Sequence, residues 1–423
     1  MKHVLLINYY WPPCGGSGVH RWLRFSKYFK ENNCHLTVYT PENAAWTTID
    51  EELVKQIPND VTVIRNKIFE PQKYLSKNLN PAGHAGLARK NKSFLQSLII
   101  WIRGNLFIPD ARVFWIKPSV RFLKKYLKEH PEITTIISTG PPQSMHVIGL
   151  KLKKQFPKLK WIADFRDPWT QIDFYQELLP GKWADARHKK LENQVLTNAD
   201  EVVTISDACA DGLQELVNRK IHVITNGYDF PEFDQNKIEL DSEFSIAHLG
   251  SMPYSRNPRV LWETLSAITK SNEEFTSFLK IKLVGSIDIK IVDEIKSFGL
   301  EKYVEFITSV PHNESIEIQR KSQLLLLIGN NSGNVKGILT GKVFEYLGAK
   351  RPIFCIGQKE SNLEAVINKT QSGYFIDYDE KEKCIETLLA TFESFKNKTL
   401  TIQAINTEKY TSNFLFQDFT KLF

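Results

Sequence analysis

The hydrophobic pattern of the first half of the chain alternates between short β-branched runs and longer stretches with helical spacing. Short continuous apolar runs are typical of strands buried in a parallel sheet. We predict seven such strands, at residues 4–7, 36–39, 61–64, 135–138, 161–163, 202–205 and 222–224. Because helical stretches such as 21–32 and 144–155 lie between them, the pattern predicts βαβ units. We therefore expect residues 1–228 to form a doubly wound, Rossmann-like α/β domain.

The alternation is interrupted at residues 229–243, which are polar, contain Pro231 and follow neither the helical nor the strand period. We interpret this segment as an interdomain linker. A second series of strands is predicted at 244–249, 279–284, 304–306, 324–328, 353–356 and 373–376. Residues 244–404 are therefore expected to form a second α/β domain. Residues 405–423 have apolar positions at helical spacing and predict a helix that packs on the first domain.

The composition of the 423 residues, 42% hydrophobic and 24% charged, is that of a globular enzyme and excludes a disordered or collagenous protein. Five scattered cysteines without CxxC spacing argue against a disulfide framework or a zinc site, and favour a reducing compartment. The first residues lack the apolar stretch of a secretory signal, and no segment approaches the ~20 apolar residues that span a bilayer. We therefore expect a cytoplasmic protein.

Residues 65–130 differ from both predicted sheets in their charge. They contain 14 Lys or Arg and three acidic residues, a net charge of +11, whereas the whole chain carries +7. Aromatic residues are interleaved with these charges, among them Trp101, Phe107, Phe114, Trp115 and Phe122. One interpretation is a helical insertion with an ordinary core face and a solvated basic face. The other is a basic-aromatic patch that binds an anionic membrane surface or lipid phosphates. Nucleic-acid binding has no recognised module behind it.

A glycine-rich loop, Cys14-Gly15-Gly16-Ser17-Gly18, follows the first predicted strand and precedes a helix. Glycines let the backbone approach an anion or a sugar, and the helix N-terminus offers free N–H groups. The loop matches neither GxGxxG nor a Walker sequence, and a plain tight turn is the alternative.

Two more polar loops follow predicted strands of the first domain. One is Asp164-Phe165-Arg166-Asp167, and the other ends at His146, near the start of a helix. In open α/β sheets the carboxyl ends of the strands face the ligand crevice, which favours a functional role. A structural Asp–Arg pair and a structural histidine are the alternatives.

In the second domain, two segments predict a phosphate site. The loop after its first strand contains Ser251 and Arg256, and residues 337–347 begin with glycines and enter a helix that contains Lys342 and Glu345. A helix N-terminus with a lysine can hold a diphosphate. Lys342 and Glu345 are three residues apart and project from one helix face, so Glu345 can accept hydrogen bonds from a ribose. A surface Lys–Glu pair is the alternative.

Together these features resemble the two-domain GT-B fold, especially the retaining nucleotide-sugar glycosyltransferases of family four that build bacterial cell-surface polysaccharides. The resemblance rests on the glycine-rich loop, the linker, the basic loop of the second domain, the Lys-x-x-Glu-Tyr helix and the C-terminal helix. The segments at 204–207 and 223–229 look like the motifs that close the family's first domain. The resemblance implies two Rossmann-like domains that face a central cleft, with the C-terminal helix returning to the first domain.

The resemblance also implies a function, which is transfer of a sugar from a nucleotide-sugar donor to a glycan or lipid-linked acceptor without a metal or other cofactor. The residues that it assigns to the donor are Ser251, Arg256, Gly337, Gly341, Lys342 and Glu345. Those assigned to catalysis are Asp164, Arg166 and Asp167, and those of the acceptor or diphosphate loop are Gly15, Gly16, Gly18 and His146.

This chain departs from the family pattern at three places. Ser251 stands where the family has an arginine, and Arg256 stands where it has a lysine. Glu345 matches the second of two glutamates, but the first position is Gly337. The family's histidine at the end of the middle strand is replaced by the cluster from Asp164 to Asp167. A GT-B-like nucleotide-sugar epimerase and a non-catalytic scaffold therefore stay open as alternatives.

Overall fold

The computed structural model describes residues 1–71, 94–172, 175–229, 238–308, 310–331 and 339–423. The chain divides into two compact units. Unit 1 comprises Met1–Thr225 and Leu415–Phe423, and unit 2 comprises Asn226–Phe414. Most of the predicted linker lies outside the described residues.

Unit 1 is built around a parallel sheet, which has seven strands in the described residues, in the order β3-β2-β1-β4-β5-β6-β7. The strands are β1 (Lys2–Ile7), β2 (Cys34–Pro41), β3 (Thr62–Asn66), β4 (Ile133–Gly140), β5 (Lys160–Phe165), β6 (Glu201–Thr204) and β7 (His222–Val223). The helices are α1 (Ser17–Ser26), α2 (Phe94–Asn105), α3 (Val113–Glu129), α4 (Ser144–Gln155), α5 (Lys182–Asn198) and α6 (Asp207–Leu216).

Apolar side chains cover both faces of this sheet, which is why its strands are continuous hydrophobic runs. Leu5 and Ile7 of β1 point into one buried cluster, and Val4 and Leu6 point into the cluster on the other face. The chain order reverses between β1 and β4, so the topological switch point of the sheet lies there.

Unit 2 repeats this build with a parallel sheet of six described strands, in the order β10-β9-β8-β11-β12-β13. The strands are β8 (Phe244–Leu249), β9 (Leu279–Val284), β10 (Val304–Ile307), β11 (Leu324–Ile328), β12 (Ile353–Gly357) and β13 (Gly373–Asp377). The helices are α7 (Arg259–Ser271), α8 (Glu273–Phe278), α9 (Ile289–Ser297), α10 (His312–Lys321), α11 (Gly341–Ala349), α12 (Asn362–Thr370) and α13 (Lys381–Lys396). Its switch point lies between β8 and β11. The predicted α/β class with two doubly wound sheets is confirmed.

The C-terminal segment is shorter as a helix than predicted. A 3₁₀ turn at Thr407–Tyr410 precedes helix α14 (Ser412–Thr420), so the prediction of one helix over 405–423 is wrong at its start. The end of α14 belongs to unit 1. Phe416 packs against Phe29 with ring centroids 4.6 Å apart, and Phe419 packs against Trp22 at 5.2 Å.

The basic-aromatic region is a pair of helices, α2 and α3, in its described part. Residues 72–93 lie outside the described residues. Trp115 is fully buried and stacks on Tyr39 at 5.0 Å, so it belongs to the core and is unavailable to a membrane. Trp101, Phe114 and Phe122 are 46%, 44% and 39% exposed. In the described part of the chain, no helix is long and apolar enough to cross a membrane.

Candidate functional site

Three polar loops of unit 1 meet at the carboxyl edge of its sheet, because β1, β4 and β5 are neighbours there. Arg166 joins them. Its backbone N–H donates to the carbonyl of Gly140 at 2.9 Å, its Nη1 donates to the carbonyl of Gly18 at 2.6 Å, and its Nη2 donates to the carbonyl of Pro141. The structure therefore brings together the glycine-rich loop, the loop after β4 and the Asp164–Asp167 segment.

Asp164 is the most enclosed of the predicted catalytic residues. Its side chain has no exposed surface, and its carboxylate accepts hydrogen bonds from Arg21, from Nε1 of Trp22 at 2.9 Å and from Oγ1 of Thr139 at 2.9 Å. Arg21 also donates to the carbonyl of Thr225 at 2.7 Å. Through these hydrogen bonds the carboxylate of Asp164 holds helix α1 against β4 and β5. Because its oxygens are occupied and enclosed, Asp164 is suited to holding its neighbours in position and not to contacting a substrate.

Arg166 and Asp167 lie closer to solvent. Arg166 is 8% exposed, and Asp167 is half-buried. The guanidinium of Arg166 lies 5.5 Å from the centre of the Tyr10 ring and makes no ion pair with a described residue. Burial is the main cause that lowers its pKa, and Asp167 is the largest opposing influence.

His146 is the third residue of α4 and is fully buried, stacked on Phe165 at 4.3 Å. Its Nδ1 lies 2.9 Å from Oγ of Ser138, which already accepts Nε1–H of Trp161 at 2.9 Å. The hydroxyl of Ser138 has one proton and two acceptor lone pairs, so it donates to Nδ1 in one tautomer of His146 and accepts from it in the other. Burial lowers the pKa of His146 to about 3, so its imidazole is neutral at pH 7.

Two buried polar atoms flank Gly140 at the end of β4. Nε2 of His146 and Oε1 of Gln143 have no hydrogen-bond partner among the described residues. A Cβ placed on Gly140 would lie 2.5 Å from the first atom and 2.7 Å from the second. Buried polar atoms without partners are uncommon, and they mark a position that a hydroxyl group of a ligand or a water molecule can satisfy.

The glycine-rich loop leads into α1, whose first turn contains no acidic residue and whose N-terminus has no side-chain cap. Gly16 is exposed, while Gly15 and Gly18 are half-buried. Gly18 packs against the ring of Tyr10, because a Cβ placed on Gly18 would lie 3.1 Å from that ring.

In unit 2, Lys342 lies against the loop that follows β8. A Cβ on Gly250 would lie 2.7 Å from Nζ of Lys342 and 2.6 Å from its Cε, and Gly250 has a φ of 104°. The positive φ favours glycine here, and a side chain at this position would displace the end of Lys342. The result is an ammonium group beside the backbone at the switch point of the second sheet.

Arg256 and Glu345 set the charge around that ammonium group. Burial is the largest cause that lowers the pKa of Lys342 to about 8, Arg256 lowers it further, and Glu345 raises it. Nε of Arg256 donates to Oδ1 of Asn330 in the loop after β11. The structure therefore brings together three predicted donor residues. Ser251 is exposed in the same loop as Arg256.

Helix α11 presents its N-terminus beside this group. Gly341 is its exposed first residue, and Oγ1 of Thr340 accepts the backbone N–H of Lys342 at 3.3 Å. The hydroxyl of Tyr346 accepts the backbone N–H of Leu249 at 3.1 Å, which anchors the helix to the end of β8. Gly337 lies outside the described residues.

His248 is a residue that the motif analysis missed. It is 1% exposed, and its Nδ1 donates to the carbonyl of Leu326 at 2.9 Å. The pairing of β8 with β11 ends at Ala247 and Leu325, so His248 bonds a carbonyl just where the two strands separate. Burial and then Lys342 lower its pKa to about 3. The sequence signal is a histidine in a mostly apolar strand, whose other polar residue is Ser245.

Comparisons with known proteins address the fold. No family model and no curated protein sequence matches the chain. Sucrose-phosphate synthase from Thermosynechococcus elongatus matches with a TM-score of 0.63 at 12% identity, covering 100% of this chain and 98% of that one. A TarM variant from S. aureus, in complex with fondaparinux, α-GlcNAc-glycerol and UDP, matches at 0.59 and 12%, covering 100% and 99%. A putative UDP-N-acetylglucosamine 2-epimerase from Listeria monocytogenes matches at 0.57 and 11%, covering 99% and 95%. The chain has the two-domain GT-B fold.

Proposed function

We propose that the protein is a glycosyltransferase that moves a sugar from a nucleotide-sugar donor to a glycan or lipid-linked acceptor in surface polysaccharide assembly. The observation that carries the proposal is the ammonium group of Lys342 against Gly250, with Arg256 close by, at the switch point of the second sheet. Two cations and a helix N-terminus at one strand edge form a receptor for a diphosphate.

In this proposal the donor diphosphate lies between the loop after β8 and the start of α11. Lys342 and Arg256 stabilise the negative charge that develops on the diphosphate as the sugar leaves. Glu345, on the same helix, accepts hydrogen bonds from the ribose. We propose retention of configuration and independence of a metal from the family resemblance alone.

The acceptor side lies in unit 1. Arg166 and Asp167 are the charged groups of the Asp164–Asp167 segment nearest to solvent, so we assign them to the reaction centre, and we assign Asp164 to holding Arg21. The glycine-rich loop and the orphaned atoms of Gln143 and His146 line the same strand edge and supply hydrogen bonds to acceptor hydroxyls.

A lipid-linked acceptor requires access to a membrane surface, and unit 1 has an apolar patch suited to it. Four large side chains are strongly exposed, namely Trp101 on α2, Leu106 directly after α2, Leu179 in the segment before α5, and Trp183 at the start of α5. Asn105 joins the two segments, because its Oδ1 accepts the N–H of Gly181 at 2.7 Å and its Nδ2 donates to the carbonyl of Leu179 at 3.0 Å.

Unit 1 also has exposed basic residues on α5, which carries Trp183, and on α3. They are Lys182, Arg187, Lys189 and Lys190 on α5, and Lys117, Arg121, Lys124, Lys125 and Lys128 on α3. The guanidinium of Arg187 lies 5.4 Å from the centre of the Trp183 ring. Aromatic groups among basic ones are typical of proteins that lie on anionic membranes, so we propose peripheral binding to such a surface.

A thermal-shift screen over UDP-, GDP- and dTDP-sugars, followed by product analysis, tests the function. A specific donor stabilises the folded protein by mass action. Lys342→Met should abolish most of that shift, whereas Lys369→Met, at an exposed lysine on α12, should leave it unchanged. Donor binding followed by acceptor-dependent sugar transfer is expected. Absence of any nucleotide-dependent shift contradicts the proposal.

The second candidate is a nucleotide-sugar epimerase, which the similarity to the putative Listeria monocytogenes epimerase favours. An epimerase converts the sugar while it is bound to the nucleotide and needs no acceptor. Conversion of the donor in the absence of acceptor would therefore select this candidate over the transferase.

A further inference from the structure

Helix α5 packs polar side chains against the segment that follows Asp167. Asp185, His188 and Glu192 are three and four residues apart, so they lie on one face of the helix. His188 and Glu192 are 4% and 1% exposed. Burying an imidazole and a carboxyl group is costly unless hydrogen bonds satisfy them, so their partners identify the segment that this face holds.

His188 holds the indole of Trp169, which is two residues after Asp167. Nε1 of Trp169 donates to Nδ1 of His188 at 3.1 Å. Because an indole N–H can only donate, Nδ1 of His188 carries no proton and the neutral ring has its proton on Nε2. Burial is the largest cause that lowers the pKa of His188, which favours this neutral form. The bond therefore fixes both the tautomer of His188 and the position of the Trp169 side chain.

Glu192 holds the next residue of the segment. Its carboxylate oxygens accept the backbone N–H of Thr170 at 3.3 Å and the hydroxyl of the same residue. Glu192 makes no ion pair with a described residue, since Lys189 on the same helix pairs with Asp185 at 2.8 Å. Burial is the largest cause that raises the pKa of Glu192, and hydrogen bonds from Thr170 and Trp169 oppose it. A buried carboxyl group with these partners is suited to positioning the segment that they belong to.

The held segment has little geometry of its own. Residues 166–171 are all described and belong to no helix or strand. At one end the backbone N–H of Arg166 donates to the carbonyl of Gly140, and at the other Nε2 of Gln171 donates to the carbonyl of Gly212 on α6 at 2.9 Å. Asp167 lies between these anchors, so side chains from the surrounding helices decide where its carboxylate is held.

We propose that His188 and Glu192 are positioning residues for the transfer reaction. Through Trp169 and Thr170 they fix Asp167 at the carboxyl edge of the first sheet, and they act without contacting a substrate. The inference rests on the proposed transferase function and on the assignment of Asp167 to its reaction centre.

Turnover by variants of His188 tests this. The assay measures release of nucleoside diphosphate from UDP-, GDP- and dTDP-glucose, with water or octyl glucoside as the acceptor. His188→Leu removes the acceptor of the indole N–H, so we expect kcat to fall at least about tenfold while KM for the donor changes less than about twofold. His188→Asn, whose Oδ1 can take the place of Nδ1, should restore most of kcat. His130→Leu, at a half-buried histidine just before β4 at the amino edge of the sheet, is the matched control and should have no effect.

A double-mutant cycle tests the hydrogen bond itself. Trp169→Phe removes its donor but keeps an aromatic ring, and it should lower kcat by a similar factor. Adding His188→Leu to Trp169→Phe should lower kcat little further, because the bond is already absent. Glu192→Leu should also lower kcat, and Glu192→Gln, which keeps one carbonyl oxygen, should lower it less.

Hydrogen exchange and melting temperatures separate positioning from a purely structural role. In His188→Leu we expect the backbone amides of residues 166–171 to exchange faster, and those of β4 and β5 to exchange as in the unmodified protein. Unchanged exchange of residues 166–171 overturns the inference. A lower melting temperature with kcat per folded molecule within about twofold of the unmodified value also overturns it and makes His188 a structural residue.

The same assay distinguishes failure of the inference from failure of the proposed function. An unmodified protein that releases no nucleoside diphosphate contradicts the proposed function, and the inference with it. An active unmodified protein with an equally active His188→Leu variant contradicts the inference alone.

Discussion

Nη2 of Arg21 lies 3.0 Å from Oδ1 of Asp164, and neither side chain is more than 2% exposed. Breaking such a pair by removing one charge leaves the other buried and uncompensated, at a cost of about 3–5 kcal/mol. We therefore expect Asp164→Asn to lower the free energy of unfolding by about that amount, measured by denaturant unfolding, while donor affinity per folded molecule is retained. Unchanged stability with lost turnover would instead return Asp164 to the catalytic group.

For Asp167 we expect the opposite result, an effect on turnover and not on stability. It is half-buried at the same strand edge, so Asp167→Asn should leave the free energy of unfolding within about 1 kcal/mol of its original value. We expect kcat to fall much more than the affinity for the donor nucleotide, because the change affects the reacting groups and leaves unit 2 intact. Steady-state kinetics measures kcat, and titration with the nucleotide measures the affinity. An equal loss in stability and in turnover would assign Asp167 to the fold.

The sequence pattern predicted much of the fold but only part of the site. All of the predicted strands are present, because a strand buried on both faces is a continuous apolar run that stands out along the chain. The start of α14 was misplaced because apolar spacing continues through the 3₁₀ turn at Thr407–Tyr410.

Contacts between residues that are far apart in the sequence could not be predicted. Nothing in the segment from Asp164 to Asp167 indicates that its first carboxylate is paired with Arg21 on α1, 143 positions away. Trp115 and Trp101 have similar sequence surroundings, yet Trp115 is buried in the core and Trp101 is exposed. The orientation of each helix decides whether its tryptophan is buried.

Lys342 gives a prediction on pH. Its pKa of about 8 means that the ammonium group is charged at pH 7 and loses its proton as the pH rises through 8. A bound diphosphate favours the charged form, so nucleotide affinity should be level from pH 7 to about 8 and then fall about tenfold per pH unit. Titration of UDP by calorimetry measures this. Lys342→Met should bind more weakly and show no such slope, and an identical slope in that variant would exclude Lys342 as its source.

The two buried histidines predict acid sensitivity. His146 and His248 have pKa values of about 3 in the folded protein, well below the ordinary value of 6.5. Between these values the unfolded chain binds protons that the folded protein does not, so stability is complete above pH 6.5 and is lost as the pH falls towards 3. Each histidine contributes a slope of up to about 1.4 kcal/mol per pH unit.

Substitution of one histidine isolates its share of that slope. His248→Asn keeps a donor for the carbonyl of Leu326 but removes the titrating ring. We expect denaturant unfolding of this variant between pH 4 and 6.5 to show a shallower dependence on pH than the unmodified protein. A slope that does not change would mean that other groups cause the acid sensitivity.

The exposed patch of unit 1 gives the last prediction, which is binding to anionic membranes. Trp101 and Trp183 are 46% and 64% exposed, so the double change to serine should leave the melting temperature nearly unchanged. We expect the unmodified protein to co-sediment with vesicles rich in anionic lipid at low salt, and less so at high salt, since each nearby Lys or Arg contributes about 1 kcal/mol. The double variant should sediment much less, whereas Ile289→Ser, at a 67% exposed residue of unit 2, should behave as the unmodified protein does. Binding that is absent at low salt or indifferent to lipid charge would favour a soluble acceptor, because a lipid-linked one has to be reached at the membrane surface.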